Sequence, residues 1–209
     1  MRPGLSARAA AGISASVPIV IYYDLTSAES FAVSEVVQSL PAASAIEWRG
    51  VQMEPTLPAV MARLDRRAAA RVEMDIVAAK KSVPSVRYTV PPGRPNTRLA
   101  LQAVASVDRM HPARASALRV ALFRAYWWSG VDISDVAAVR AIAADAGVPP
   151  WVELEHQAAQ AAQVGWELQW QAERLGGVPR IIRSDGRILW QLTDEGSLRA
   201  FLAGDAAGN

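Results

Sequence analysis

The 209-residue chain suits one domain, or one domain carrying a large insertion. Its 22 basic and 20 acidic side chains leave a formal +2, and the densest basic group, Arg63, Arg66, Arg67 and Arg71, is diluted by Asp65, Glu73 and Asp75, so it reads as a solvated helix face and no nucleic-acid partner is implied. The absence of cysteine excludes disulfides, thiolate metal sites and cysteine nucleophiles, and no run of about 18 apolar residues exists to cross a membrane.

Met1 to Ser16 holds Arg2 and Arg8 but no apolar centre; it is a poor signal peptide and reads as a disordered lead-in, making the cytoplasm the default compartment. Val17–Tyr23 is an apolar, β-branched run that predicts a buried strand. It stops at Asp24, and an amphipathic helix follows with Val33, Val36, Val37 and Leu40 inward. A strand running straight into a helix start brings free backbone N–H groups and a positive dipole end to one point, which favours an anion or a thiolate. Pro41–Ser44 breaks the chain, and Ile46–Gln52 predicts a second strand, parallel to the first through a right-handed crossover.

Thr56 as N-cap and Pro58 in the first turn predict a helix to about Ala79. Lys80 to Pro95, with four prolines, predicts a loop. Asn96 then caps a helix with Ala100, Ala103, Val104 and Val107 inward, broken at His111-Pro112; the next packs through Leu118, Ala121, Leu122 and Ala125. Asp132 or Ser134 caps a third, through Val139, Ile142, Ala143 and Ala146, and Pro149-Pro150 opens a last long one to about Leu175. Ile181-Ile182 and Arg187–Gln191 predict two strands joined at Asp185-Gly186, a strong hairpin signal, before a closing helix over Ser197–Leu202.

With these elements in place, Tyr23-Asp24 leading into Ser27-Ala28-Glu29-Ser30, Trp48 in the second strand, Asn96–Ala100, Leu118–Tyr126 with Val131–Ser134, and Gly177-Val178-Pro179 before the third strand together resemble the DsbA-like thioredoxin fold. That group contains the disulfide oxidoreductases, the 2-hydroxychromene-2-carboxylate isomerases and the kappa-class glutathione transferases. The resemblance implies an α/β thioredoxin fold with an inserted helical subdomain: residues 17–55 and 176–205 as the thioredoxin-like part, residues 56–175 as the insertion, residues 1–16 as the lead-in. Redox members carry Cys-Pro-x-Cys where this chain has Ser27-Ala28-Glu29-Ser30, so thiol binding without thiol redox chemistry is implied.

Ser27 is the candidate catalytic residue, able to donate to a bound thiol; Thr26-Ser27-Ala28-Glu29 also fits a capping box, and the two roles are compatible. Ser30, one turn inside the helix, reads as packing. A cis peptide at Pro179 and backbone contact to a ligand at Val178 are implied by the resemblance, against a trans proline opening an edge strand. Thr193-Asp194 stands where kappa-class enzymes hold the γ-glutamyl end of glutathione, or is an N-cap. Trp127, Trp128, Trp151, Trp166 and Trp170 either line an apolar pocket or serve as core and dimer contacts. His111 and His156 have no metal-ligand spacing with any carboxylate, so no metal is expected.

Departures from the family pattern are Ala28 for its proline, Glu29 beside the presumed sulfur, and Arg180 at a buried strand start. The resemblance implies a homodimeric isomerase or transferase using glutathione or another low-molecular-weight thiol on an apolar small molecule. A non-catalytic DsbA-like binding protein is the alternative.

Overall fold

The computed structural model describes residues 18–40 and 46–204; the lead-in over residues 1–16 and the break at Pro41–Ser44 lie outside the described residues. The β-branched run forms β1, Ile19–Tyr23, and β2, Ile46–Gly50, pairs with it in parallel, Ile19 against Ile46 and Tyr23 against Gly50. β1 also pairs antiparallel with a strand over Arg180–Arg183, which forms a hairpin with Ile188–Leu189. Gly186 takes φ 86° in the Asp-Gly turn, the left-handed backbone that such a turn requires.

Alternation along β1 splits the core in two. Ile19, Ile21 and Tyr23 face a large cluster with Trp48, Phe31, Leu101, Leu122 and Phe123. Tyr22, with Val20 beside it, faces a smaller cluster holding Val51, Leu175, Trp166 and Trp170. Burial on both faces is why β1 reads as a continuous apolar run rather than as an alternating one.

Helix α1, Ala28–Gln38, follows β1; α2, Arg66–Ser82, α3, Arg98–Met110, α4, Pro112–Ser129, α5, Val136–Asp145, and α6, Gln157–Ala172, lie between β2 and the hairpin; α7, Glu195–Ala203, closes the described chain. Two short strands, Ala62–Arg63 as β3 and Gly93–Arg94 as β4, form a separate ribbon, so the hairpin strands are β5 and β6 and the main sheet has the order β2-β1-β5-β6. Residues of α3 and α4 share one hydrophobic cluster with β1 and α1, including Leu101, Val104, Leu118, Phe123 and Trp127. Phe31 stacks with Phe123 at 5.7 Å and with Trp127 at 6.4 Å between ring centroids. No described helix is long and apolar enough to cross a membrane.

Several boundaries differ from those read from the sequence. The helix expected from Pro58 begins at Arg66, capped by Asp65, whose carboxylate accepts from the Ala68 N–H at 2.7 Å. The residues before it are drawn instead into the β3–β4 ribbon, where Leu64 donates to Pro92 O. Thr97 stands at the N-cap position of α3 without a side-chain cap bond, and the expected Asn96 supplies one instead: its Oδ1 accepts from Arg98 N at 3.1 Å, while its amide is also held by Gln52 and Leu57. Asp135 caps α5. The helix expected from Pro149-Pro150 starts only at Gln157, with His156 Nδ1 accepting from Ala158 N, and Val152 and Leu154 turn into the core before it. At α2 and α6 tertiary partners captured residues that local propensity had assigned to a helix.

Candidate functional site

Asp24 ends β1 and organises the turn into α1. It is fully buried and accepts from Thr26 N at 2.9 Å, Thr26 Oγ1 at 3.0 Å, Met53 N at 2.7 Å and Thr97 Oγ1 at 3.3 Å. Burial pushes its carboxyl above the ordinary carboxylate range, while these donors pull the other way. One carboxylate thus joins the β1–α1 turn, the end of β2 and the start of α3.

Ser27 is the N-cap of α1. Its Oγ accepts from Ser30 N at 3.1 Å and donates to Val178 O at 3.1 Å. The cap is therefore Ser27 rather than a box opened by Thr26, and Glu29 falls inside the first turn. The Val178–Pro179 peptide bond is cis. Among the described residues the Val178 N–H meets no acceptor, so this main-chain donor is open to a ligand beside Ser27.

Thr26, Ser27, Glu29, Met53, Asp75 and Val178 line a cleft of about 390 Å³, with Glu54 and Arg94 completing its charged wall. Arg94 pairs with Glu54 at 2.8 Å, and among the described residues Glu29 and Asp75 form no ion pair. Burial raises the pKa of both, and Asp75 raises Glu29 further. The cleft is a carboxylate-lined pocket at a helix start, with two opposing electrostatic tendencies: the dipole favours an anion and the side chains disfavour it.

The other expected site residues lie apart from this cleft. Pro179 is buried behind Val178. Thr193 and Asp194 are exposed and are not part of the cleft wall; Asp194 caps α7 through Ser197 N at 2.8 Å and accepts from Thr193 Oγ1 at 3.2 Å. Ser30 is buried, its hydroxyl without a partner. None of the tryptophans lines the cleft. Trp127 is a core residue whose Nε1 donates to Leu25 O at 3.0 Å, Trp166 and Trp170 pack on the second face of the sheet, and Trp151 lies beside a cavity of about 860 Å³ at the α5–α6 connection. Among the described residues no cluster of acidic, histidine or cysteine side chains has the makings of a metal site.

Sequence alone assigned no role at the site to three residues. Asp75 reaches the cleft from α2, where its helical spacing marks only a solvated face. Tyr88, in the proline-rich loop, donates to Ala28 O at 2.9 Å. Arg180 is buried and clamps the loop before Val178: Nε donates to Leu175 O at 2.7 Å, Nη1 to Trp190 O and Nη2 to Gly177 O at 3.5 Å, while Cζ lies 4.3 Å from the Trp190 ring centroid. This clamp explains an arginine at a buried strand start.

Ser27→Ala removes both the cap and the donor to Val178 O, and is expected to cost about 0.5–2 kcal/mol. Chemical denaturation read by circular dichroism checks it; an unchanged midpoint would mean that the cap contributes nothing.

Fold and site together define a thioredoxin-fold protein with serine at the α1 start and a cis-proline facing it. Residues 18–203 match the DSBA-like thioredoxin domain, and the chain belongs to that family. Similar solved structures include a Nitrosomonas europaea protein assigned as a disulfide isomerase, with 16% identity and TM-score 0.72 over 90% of this chain and 96% of that one. The cytosolic disulfide reductase DsbM from Pseudomonas aeruginosa aligns at 14% identity and TM-score 0.68, over 88% and 96%, and one of its structures contains GSH. A 2-hydroxychromene-2-carboxylate isomerase aligns at 15% identity and TM-score 0.65, over 89% and 93%. At these identities the likeness is one of fold. No curated protein matches the chain in sequence.

Proposed function

We propose that this protein is a redox-inactive DsbA-like protein that holds a low-molecular-weight thiol of the glutathione type in the Ser27 cleft and uses it in an isomerase- or transferase-type reaction on an apolar small molecule. The observation that carries this reading is the meeting of Ser27 Oγ and Val178 O at 3.1 Å, next to an open Val178 N–H. An extended thiol ligand pairs with the Val178 main chain as an added strand does. Its sulfur then arrives at the α1 start, where the dipole supports a thiolate by about 0.3–1 kcal/mol. The thiolate forms a C–S bond to an electrophilic carbon of the substrate. In an isomerisation that bond breaks again and the thiol is regenerated; in a transfer it stays, and a leaving group departs with its electron pair. The GSH found with DsbM supports the choice of thiol.

Titration calorimetry with glutathione tests the reading. Saturable binding is expected, tightened by Glu29→Gln, which removes a carboxylate from the sulfur's neighbourhood. No binding at cellular thiol concentrations would sink it. Without cysteine the chain cannot cycle a dithiol, so insulin reduction should equal the protein-free control.

A second reading is favoured by the charge of the cleft. Glu29 and Asp75 disfavour an anionic ligand, and the Ser27 proton is already committed to Val178 O. A member that binds a neutral or cationic extended ligand, without turnover, fits those two facts. Binding of such a ligand in preference to glutathione would select this reading.

A further inference from the structure

A second cavity, of about 630 Å³, opens beneath α3 and α4, where Pro18 and Ile46 begin the two parallel strands. Its walls are apolar, with Ile19, Val37, Ile46 and Val104 among them. Two buried residues on it, Arg119 and Tyr23, carry polar atoms that have no partner among the described residues. Arg119 is 3% exposed, and only its Nη2 has an acceptor, Ser116 Oγ at 3.2 Å. Its Nε is buried without a partner, and among the described residues Nη1 has none. Its Cζ lies 3.8 Å from the Trp48 ring centroid, so the guanidinium sits over the indole. Tyr23 is 1% exposed, and among the described residues its hydroxyl has no partner.

A buried guanidinium without a carboxylate is costly. Burial pushes the Arg119 pKa down to about 10, against the pull of Tyr23 and Asp108, so it stays charged at neutral pH. Asp108 stands exposed at the rim and makes no ion pair with Arg119; Glu47, also at the rim, pairs with Arg49. Residues 1–17 and 41–45 contain no Asp or Glu.

We propose that this cavity binds a small organic monocarboxylate with an apolar body, its carboxylate taken by Arg119 and the Tyr23 hydroxyl. Guanidinium offers only donors, in a fork that fits a carboxylate. A single guanidinium inside, with Asp108 at the rim, suits one negative charge and disfavours a phosphate dianion. The hydrocarbon part lies against the aliphatic wall and gains about 25 cal/mol for each Å² it buries. The site is independent of the Ser27 cleft, with which it shares no residue.

Benzoate and hexanoate, titrated against the full chain and read at the Trp48 indole resonance by NMR, test the proposal. Saturable shifts are expected, with benzamide binding about tenfold weaker because it cannot pair with a charged fork. Arg119→Gln should abolish carboxylate binding. Tyr23→Phe keeps the packing, so it tests the site even if the arginine variant does not fold, and should weaken benzoate several-fold. Benzamide binding as tightly as benzoate, or benzoate binding untouched by Tyr23→Phe, would overturn the assignment.

Discussion

Replacing Asp24 with alanine is expected to destabilise the protein by about 2–4 kcal/mol, because four donors lose their acceptor inside the fold. Among the described residues the Met53 N–H and the Thr97 hydroxyl have no other acceptor, and both lie at junctions between elements. For a chain of this size the melting temperature should fall by about 5–15 °C. The effect has a definite pH sign. Burial raises the folded-state pKa of Asp24, so above the ordinary aspartate range the folded state holds a proton that the unfolded state releases. A group of this kind contributes most below its unfolded pKa, and the contribution is lost as pH rises through the raised folded value. The destabilisation by Asp24→Asn, measured against the parent chain, should therefore be largest in acid and shrink toward neutrality. A difference that grows with pH would contradict the assignment of burial as the dominant influence on Asp24.

Arg180→Ala is expected to cost about 2–4 kcal/mol and to loosen the loop that presents Val178. The guanidinium gathers three carbonyls, from Leu175, Gly177 and Trp190, which no neutral side chain can hold together. The Leu175 N–H, bonded to Trp170 O at 3.2 Å, reports on that loop. Its hydrogen exchange should accelerate in the variant, and glutathione affinity should fall with it. Arg180→Lys should recover only part of the loss, since an ammonium lacks the planar fork. Exchange at Leu175 matching the parent chain would show that the loop does not depend on the clamp.

The local signals in this chain were strong where one element satisfied its own needs. The apolar run of β1, the Asp185-Gly186 turn, the Pro112 break between α3 and α4 and the closing helix all appear within a residue or two of their expected places. The beginnings of α2 and α6 were not legible. Thr56, Pro58 and Pro149-Pro150 are good helix openers, but Leu64 and Val152 found tertiary partners that outweighed propensity. In the site, Ser27 and Val178 were legible through the family resemblance and meet in space, whereas Thr193 and Asp194 turn to one another and to Ser197.

Composition and short-range pattern by themselves determined that no dithiol chemistry is possible, that strands bracket a block of helices, and that a strand end feeds a helix start at Ser27. These properties depend on residue identity and on periods of two and 3.6, which any window of the sequence displays. Tertiary structure alone decided what faces what. Ser27 and Val178 are 151 positions apart; Glu29 and Asp75 share a cleft from different helices, and Arg119 lies over Trp48 with no ion-pair partner among the described residues. Burial and pairing of this kind arise only when topology brings distant segments together, and sequence spacing carries no record of it. The charge of the cleft, the commitment of the Ser27 hydroxyl and the donors exposed to the second cavity are therefore properties of the fold.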